Sequence, residues 1–359
     1  MFNKGIEKMV VENCEKKTLR FMDFCAGIGG GRIGLEKAGM RCVGFSEINR
    51  SSARTYREFF GQDEQNYGDL MKINPGDLPD FDLMIAGFPC QTFSVIGPRT
   101  GMNDRRGMTI FGLIDIMKAK NLKYFILENV KGLLNHGNGE SLNVILKELD
   151  QAGYKVFWKL ITSLYLGVPQ MRERIYFVGV RKDLIKNGAL FNFPRSVKIP
   201  DIKDYLIDTD ENLEFNEKKR SYETFLKYLD NKYNKGKFSI ERMLKEEYLV
   251  IDTRQSDLRL YRGRVPTLRT GRHGILYVRN GKFRRLSGYE SLLLQGFPEE
   301  LARKVRGNID EASLLSQAGN AMTVNAVEAF GGKLTEFITN VPKTEYEEKR
   351  FDKIRFANR

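Results

Sequence analysis

Residues 19–31 read LRFMDFCAGIGGG, an apolar run followed at once by a loop rich in glycine. The apolar run predicts a buried β-strand over Leu19–Cys25. Glycines placed after it let the backbone turn sharply and approach a ligand at the carboxyl end of the strand, before a helix begins. A strand, a glycine loop and a helix in this order are typical of the first unit of a doubly wound α/β sheet.

Short apolar runs continue to alternate with helical stretches over the first two-thirds of the chain. We predict four further strands at Arg41–Ser46, Leu83–Ala86, Tyr124–Glu128 and Ile175–Val180. One helix is marked by leucine and isoleucine at i, i+3, i+4 and i+7 from Leu142, and it ends at Gly153. This alternation predicts an α/β fold with a Rossmann-like, mostly parallel sheet.

After Arg181 the alternation stops and the chain becomes more polar, which predicts a small separate domain or a large insertion. Apolar periodicity returns at Leu286–Phe297 and at Met322–Phe337, so we expect the C-terminal part to pack back onto the first domain. A highly charged end is expected to fray. The predicted divisions are residues 1–181, 182–279, 280–339 and 340–359.

Composition excludes several classes of protein. The 359 residues are 41% hydrophobic and 29% charged, as in a globular protein. No apolar run approaches the roughly 20 residues that span a bilayer, and the N-terminus is charged, so we expect a cytoplasmic protein without a membrane partner. Four cysteines without C-x-x-C spacing and two histidines argue against a zinc site, and no metal is expected.

The charge distribution indicates a polyanionic partner. The formal net charge is +13. Residues 254–285 hold ten basic residues, nine of them arginine, against Asp257 alone. Because the arginine fork suits phosphate oxygens and the acceptor edge of guanine, this arginine stretch favours nucleic-acid binding over an ordinary basic surface.

The glycine loop favours an adenosine cofactor over a dinucleotide. Gly27 and Gly29 fit the first two glycines of the dinucleotide fingerprint, but Arg32 stands where the third belongs. Glu47 ends the second strand, where a carboxylate can bind ribose hydroxyls, and Asp69 can accept from an adenine amino group. S-adenosylmethionine suits this set best, whereas a tight turn beside ordinary surface acids is the plainer explanation.

Three more groups follow strand ends. Cys90 lies in GFPCQ just past the third strand and is a candidate nucleophile, although most lone cysteines are inert. Glu128 closes the fourth strand and can bind a base or donate a proton. Arg172 and Arg174 alternate in QMRER and are expected to direct two cations at one place. Helix capping and surface ion pairs are the structural alternatives.

In this order the residues resemble those of the DNA (cytosine-5)-methyltransferases, in the compact form typical of bacteria and phages. The resemblance covers residues 19–337 apart from the variable region. Its motifs are DFCAGIGG at 23–30, Glu47, GFPCQ at 87–91, ENV at 128–130, the Q-x-R-x-R of 170–174, and QAGN at 317–320. The fold implied is a methyltransferase domain plus a target-recognition domain within residues 182–279, with double-stranded DNA between them.

The resemblance implies sequence-specific transfer of a methyl group from S-adenosylmethionine to carbon 5 of a flipped-out cytosine, through a covalent cysteine adduct. The catalytic residues implied are Cys90, Glu128, Arg172 and Arg174. The cofactor-binding residues implied are Cys25, Gly27, Ile28, Gly29, Glu47, Ile48, Asp69 and Asn320. The DNA-binding residues expected are Gln91, Ser94, Arg106, Arg264, Arg269 and Arg272. No obligate protein partner is expected.

Alternatives stay open on the sequence. An RNA (tRNA) cytosine-5 methyltransferase of the same fold has the same reacting residues, and the arginine stretch does not separate DNA from RNA. A Rossmann-type oxidoreductase is disfavoured by the missing third glycine and by the cysteine loop. The target sequence, the oligomeric state and membership of a restriction-modification system with a separately encoded endonuclease are not determined by the sequence.

Overall fold

A computed structural model provides the structure of the chain. It describes residues 18–89, 109–186, 188–253, 258–271 and 274–339. In these ranges no helix is both long enough and apolar enough to cross a membrane.

A six-stranded sheet forms the core of the first part of the chain. The strands of this part are β1 (Arg20–Phe24), β2 (Arg41–Ser46), β3 (Leu83–Gly87), β4 (Tyr124–Val130), β5 (Tyr154–Thr162), β6 (Gln170–Met171) and β7 (Glu173–Arg181). Across the sheet their order is β2-β1-β3-β4-β7-β5, with β6 outside it. The first four strands pair in parallel, and β7 runs antiparallel to both neighbours. The predicted Rossmann-like α/β fold and its five strands are confirmed.

Strand β5 was missing from the prediction. It lies at the edge of the sheet, and most of its side chains are only partly buried. Lys155 and Lys159 interrupt its apolar pattern. An edge strand that faces solvent therefore lacks the continuous apolar run that marked the central strands.

Helices cover both faces of the sheet. Those of the first part are α1 (Gly30–Lys37), α2 (Arg50–Phe60), α3 (Thr109–Ala119) and α4 (Glu140–Gln151). Along β3 the side chains alternate: Met84 and Ala86 pack on the face of α3 and α4, while Leu83 and Ile85 pack on the opposite face. This period of two is why each central strand could be recognised as a buried run.

A second, antiparallel sheet lies in the predicted recognition region. Its part of the chain contains α5 (Arg220–Leu229), α6 (Ile240–Leu244), β8 (Val250–Asp252), β9 (Arg259–Tyr261), β10 (Val265–Pro266), β11 (Ile275–Arg279) and β12 (Lys282–Arg285). The sheet order is β12-β11-β8-β9, and β10 instead pairs in parallel with β6. Phe225 of α5 and Met243 of α6 pack on one face of this sheet, against Ile251 and Phe283.

The second sheet runs past residue 279, where the predicted recognition domain ended. Asn280 and Gly281 have φ angles of 53° and 67° and join β11 to β12 as a two-residue hairpin. An Asn-Gly pair between two strands is the standard sequence for such a turn, so the signal was present in the sequence. The wider division into four parts stays a prediction.

Four helices complete the described chain: α7 (Gly288–Leu293), α8 (Glu299–Val305), α9 (Glu311–Asn320) and α10 (Val324–Thr339). Ala326 and Phe330 of α10 are buried with Phe21 and Ile85 of the central sheet. Helix α10 also lies close to α1, where a Cβ on Gly34 would come within 2.5 Å of Val327. Helix α10 therefore packs on the central sheet and on α1.

Glu290 is a buried acid between the two parts of the molecule. Its carboxylate accepts from the backbone N–H of Asp208 at 3.0 Å, from the Tyr277 hydroxyl at 2.9 Å and from the backbone N–H of Ser287 at 3.1 Å. Burial raises the pKa of Glu290 to about 7, and the charge of Asp208 acts in the same direction. The folded chain therefore holds a proton on Glu290 that the unfolded chain releases at lower pH.

We predict that Glu290→Gln reduces the pH dependence of stability. With a folded pKa above the unfolded one, the contribution of Glu290 is fully present below its ordinary pKa and is lost as the pH rises through about 7. The wild type should therefore lose stability relative to the variant between about pH 5 and about pH 8. Urea unfolding across this range measures the difference. Glu300→Gln, at an exposed site on α8, is the control, and parallel curves for wild type and Glu290→Gln would contradict the prediction.

Candidate active site

Several predicted functional residues lie at one edge of the central sheet because several strands end there. Strands β1, β2, β3 and β4 are parallel, so their carboxyl ends share that edge. Strand β7 is antiparallel and brings its first residues to it, with Arg174 opposite Val130. Gly87 is in register with Glu128. In the sheet β1 lies between β2 and β3, so the strand order reverses at β1. Sheets of this kind bind ligands at the carboxyl ends of the strands beside such a reversal.

The glycine loop and Glu47 are joined directly. The backbone N–H of Gly27 donates to Glu47 Oε2 at 2.7 Å, and the backbone N–H of Asn49 donates to Oε1 at 2.7 Å. Gly27 has a φ of 57°, and a Cβ built on it would meet nothing within 4 Å. The carboxylate is thus held at both oxygens while it stays half-buried and the loop beside it stays open.

Asn66 sets the orientation of Glu47 and was not found from the sequence. Its side chain accepts from the Glu47 backbone N–H at 3.0 Å and donates to the Glu47 carbonyl at 3.0 Å. It also accepts from the backbone N–H of Gly68 at 2.9 Å. Nineteen residues separate Asn66 from Glu47, so no local spacing marks the pair.

The other predicted cofactor residues differ in what they present. Ile48 is 71% exposed next to Glu47. Asp69 accepts from the backbone N–H of Met71 and is 29% exposed. The Ile28 side chain, in contrast, is buried with Phe59 and Leu293, so Ile28 can offer a ligand only its backbone.

Cys25 and Asp23 lie beneath the same loop. Cys25 has a φ of 50°, and its pKa is raised to about 12 by burial and by the carboxylates of Glu47, Asp23 and Asp69. It is therefore a neutral thiol rather than a nucleophile. Burial also raises the pKa of Asp23, which accepts from the backbone N–H of Arg32 at 3.2 Å.

These features fit an adenosine ligand. An exposed apolar side chain at Ile48 offers a surface for a base, and Glu47 offers carboxylate lone pairs to two hydroxyls. Gly27 and Gly68 both have positive φ and leave open space where a side chain would project. The remaining member, Asn320, is exposed and accepts from the Thr270 hydroxyl of the predicted recognition region.

Glu128 and Arg174 form an ion pair at the centre of the edge. Arg174 Nε lies 2.9 Å from Glu128 Oε1, and Arg174 Nη1 donates to the Glu173 carbonyl at 2.8 Å. Glu128 is 7% exposed. The Nε contact has ion-pair distance but not hydrogen-bond geometry, so both of its atoms are buried without a hydrogen bond, as is the Tyr176 hydroxyl. Buried polar atoms left in this state are those that a polar ligand can satisfy.

The guanidinium groups of Arg172 and Arg174 have different partners, although the sequence predicted that both point at one place. It is 2% exposed and donates to the carbonyls of Leu268 at 3.1 Å, Gly319 at 3.0 Å and Ala321 at 2.8 Å. Burial lowers its pKa to about 9, with Arg174 adding to the effect, so it stays protonated at neutral pH. Its guanidinium joins three segments of the chain and is not presented to a ligand.

The start of the cysteine loop is held beside Glu128. Phe88 is buried, and its carbonyl accepts from Asn129 Nδ2 at 3.0 Å. A Cβ on Gly87 would lie 3.7 Å from Glu128 Oε2. Four predicted residues of this loop, Cys90, Gln91, Ser94 and Arg106, and the recognition residue Arg272, lie outside the described residues.

The arginine stretch divides into internal and surface residues. Arg284 is buried and donates to the carbonyls of Asp208 and Asp210 at 2.9 Å and 2.8 Å, and Arg279 also donates to the Asp208 carbonyl. Lys282 pairs with Glu214. Two predicted DNA-binding residues, Arg264 and Arg269, are exposed. The local charge count could not distinguish these uses, because each depends on distant partners.

Comparison with known proteins gives a family for this arrangement. The family model for C-5 cytosine-specific DNA methylase matches residues 19–336. The type II methyltransferase M.BsuFI of Bacillus subtilis is 36% identical over 334 residues, which are 89% of this chain and 73% of that protein. M.DsaV of Dactylococcopsis salina, also a type II methyltransferase, is 33% identical and covers 95% and 91%. The orphan methyltransferase M.Rho11sI of Bacillus phage rho11s is 45% identical over 172 residues, 47% of this chain and 34% of that protein.

Solved structures agree on the fold. A putative DNA modification methyltransferase encoded within an Escherichia coli prophage superposes with a TM-score of 0.66 and 19% sequence identity. The match covers 90% of this chain and all of that one.

We predict opposite effects of alanine at two helical glycines. A Cβ on Gly319 would lie 2.4 Å from the backbone carbon of Arg269 and 2.6 Å from the backbone nitrogen of Thr270, so Gly319→Ala should destabilise the fold by about 1–3 kcal/mol. Gly332 in α10 has nothing within 4 Å, so Gly332→Ala should stabilise by about 0.5–1 kcal/mol. Thermal unfolding measures both effects: an unchanged or raised melting temperature for Gly319→Ala would contradict the close contact, and a lowered one for Gly332→Ala would contradict the open site.

Proposed function

Because this chain belongs to the family of C-5 cytosine-specific DNA methylases, whose members are enzymes, we propose that it methylates carbon 5 of cytosine within one short sequence of duplex DNA. The observation that carries the proposal is the buried Glu128–Arg174 pair next to the start of the Cys90 loop. A carboxylate and a guanidinium side by side match the edge of a cytosine, which offers an amino donor, a ring nitrogen and a carbonyl oxygen.

S-adenosylmethionine is the methyl donor that we propose, and it supplies an electrophilic methyl group when bound. Glu47 would bind the ribose hydroxyls, with Asn66 and the backbone N–H of Gly27 keeping its carboxylate in place. Ile48 would contact the adenine, and Asp69 would accept from the adenine amino group. Gly29 and Asn320 would line the rest of the site, while Ile28 and Cys25 support the loop from beneath.

The target base has to leave the DNA stack, because carbon 5 and carbon 6 are not accessible to a nucleophile within it. In our proposal the Cys90 thiolate adds to carbon 6 and forms a carbon–sulfur bond. Glu128 accepts from the amino group, and a proton that it passes to the ring nitrogen neutralises the negative charge that this addition places on the ring. Arg174 binds the carbonyl oxygen, and the ion pair orients both side chains before the base arrives.

Addition of the thiolate makes carbon 5 nucleophilic, so that carbon 5 would take the methyl group as its bond to the sulfonium sulfur breaks and S-adenosylhomocysteine leaves. Loss of the carbon-5 proton to a base and departure of the Cys90 thiolate restore the aromatic ring and release 5-methylcytosine. Dividing one difficult substitution into addition and elimination is what covalent catalysis contributes. Arg172 acts in this scheme as a positioning residue, because its guanidinium is occupied by three backbone carbonyls.

Recognition of the sequence would fall to the exposed members of the arginine stretch. Arg264 and Arg269 are exposed, and the backbone of Arg269 lies against Gly319 at the end of α9. The Gln91, Ser94, Arg106 and Arg272 side chains would add contacts from the cysteine loop and the recognition region. The relatives carry both orphan and type II names, so a separately encoded restriction endonuclease is compatible with the proposal but not required by it.

Expression in a host that lacks cytosine methylation, followed by bisulfite sequencing of its DNA, tests the proposal. We expect unconverted cytosines in one short motif. Complete conversion in cells that contain folded protein would contradict DNA methylation. Transfer of a labelled methyl group to RNA by the same preparation would then support the RNA alternative.

We predict that Cys90→Ser abolishes methyl transfer and leaves duplex binding measurable, because the hydroxyl is a far weaker nucleophile at neutral pH but occupies the same space. Filter binding and methyl transfer measure the two properties separately. Cys42→Ser is the control. Cys42 is half-buried, its thiol donates a hydrogen bond to the carbonyl of Gly44, and a serine hydroxyl can make the same hydrogen bond. Methylation by Cys90→Ser, or loss of its duplex binding in a folded variant, would overturn the assigned role.

A further inference from the structure

A basic cavity lies in the predicted recognition region, away from the edge that holds Glu128. Its volume is about 540 Å³ and it is open to solvent. It is lined by the start of α5 and the end of β12, through Lys218, Lys219, Arg220, Ser221, Thr224 and Arg285. We call it the α5 pocket. Four of its six lining residues are cations, and none is an acid.

In the described part of the chain no ion pair joins a cation of the α5 pocket to a carboxylate, although Lys218 is close enough to Glu214 to lower the pKa of that acid. Lys219 Nζ donates to the backbone carbonyl of Asn212 at 3.2 Å, which leaves its charge unpaired. The neighbouring acid Glu214 is engaged by Lys282 at 2.6 Å. Lys218 and Arg220 are exposed. Four cations that remain unpaired around one cavity repel one another, and an anion relieves that repulsion.

Arg285 is held in place over the α5 pocket before any ligand binds. Its guanidinium donates to the Ser221 hydroxyl and lies 5.2 Å from the centre of the Phe215 ring. An arginine fixed by a ring and a hydroxyl loses less conformational entropy on binding than a free one. Its fork suits a phosphate oxygen pair, for which lysine is only a point charge.

The start of α5 adds donors of the same kind. No side chain caps this ten-residue helix, so the first backbone N–H groups lack a side-chain acceptor. The hydroxyls of Ser221 and Thr224 line the same cavity. Hydroxyls, uncapped N–H groups and four cations together form a donor set for a phosphate.

Strand register places the α5 pocket at the end of the second sheet where β11 begins. Arg285 is opposite Leu276, one residue after β11 begins at Ile275. The chain before β11 carries Arg269, whose backbone touches Gly319 of the catalytic part. Arg285 is also the last residue of the arginine stretch. The pocket therefore lies at the end of this sheet where the chain that carries Arg269 enters β11, whereas Arg264 follows β9, which leaves the sheet at the other end.

We propose that the α5 pocket binds a phosphate of the DNA backbone outside the methylated sequence, an inference that rests on the proposed function. It extends the DNA contact beyond the bases that the enzyme reads. Such a contact carries no sequence information but fixes register and adds salt-dependent affinity.

Duplexes of two lengths test the proposal, both carrying the motif found by bisulfite sequencing, one with long flanks and one trimmed to the motif. The paired variant Arg220→Gln/Arg285→Gln should weaken binding of the long duplex and leave the trimmed one unaffected. For the long duplex, the slope of log K against log salt should fall by about 0.9 for one lost phosphate contact. Lys218→Gln/Arg220→Gln changes only exposed side chains and repeats the test if Arg285→Gln impairs folding. Lys227→Gln, exposed near the other end of α5, is the matched control.

Neutral methylphosphonates placed one at a time in the flank locate the contact. The wild type should lose affinity at one position, and the variant should lose nothing further there. Equal affinity of variant and wild type for the long duplex, or equal losses on both duplexes, would overturn the proposal. Saturable binding of inorganic phosphate that the variant abolishes, with unchanged duplex affinity, would overturn it in favour of a free phosphate. Failure of the proposed function appears separately, as a wild type that methylates neither duplex.

Discussion

The buried guanidinium of Arg172 is the contact on which the arrangement of this molecule depends. It joins the chain between β6 and β7 to the carbonyl of Leu268 in the recognition region and to the carbonyls of Gly319 and Ala321 at the end of α9. Gln170 adds two bonds beside it, to the backbone N–H of Leu268 at 3.1 Å and to the carbonyl of Leu294 at 2.9 Å. Burying a charge is costly unless its donors are satisfied; here three carbonyls accept from Nη1 and Nη2, while Nε is buried without a hydrogen bond. Arg172 therefore fixes the start of β7 to the segments that contain Leu268 and Gly319.

Arg172 and Arg174, two residues apart at the same strand end, have different partners. Two residues beyond Arg172, Arg174 contacts Glu128 and leaves polar atoms without hydrogen bonds. A fold optimised only for stability would satisfy these atoms, since each unsatisfied buried group costs about 1–3 kcal/mol. Residues that carry function often break the rules that the rest of the structure obeys. Through its three carbonyl partners, Arg172 fixes the start of the strand that carries Arg174.

The arginine stretch shows how one composition serves two purposes. Arg279 and Arg284 hold the Asp208 carbonyl and secure the recognition region from within. Arg264 and Arg269 are exposed, and Arg285 lines the α5 pocket. In a strand, neighbouring side chains point to opposite faces, so Arg284 and Arg285 have different environments although they are adjacent. Charge density along the sequence therefore indicates a nucleic-acid partner but does not say which arginines meet it.

The sequence by itself determined the class of fold, the order of the central strands along the chain, the glycine loop with Glu47, and the family resemblance. These features are encoded locally: a period of two for strands, a period near four for helices, and residue types just after strand ends. Tertiary structure alone decided the partners of Arg172, which lie 96 to 149 residues away, the role of Asn66 behind Glu47, and the edge position of β5. The Asn280-Gly281 pair is a local sequence signal for the hairpin, although the predicted domain boundary lay at residue 279. Local periodicity reports which face of an element is buried, whereas the partner of a buried polar group is set by how distant segments pack, and no short window of sequence contains that information.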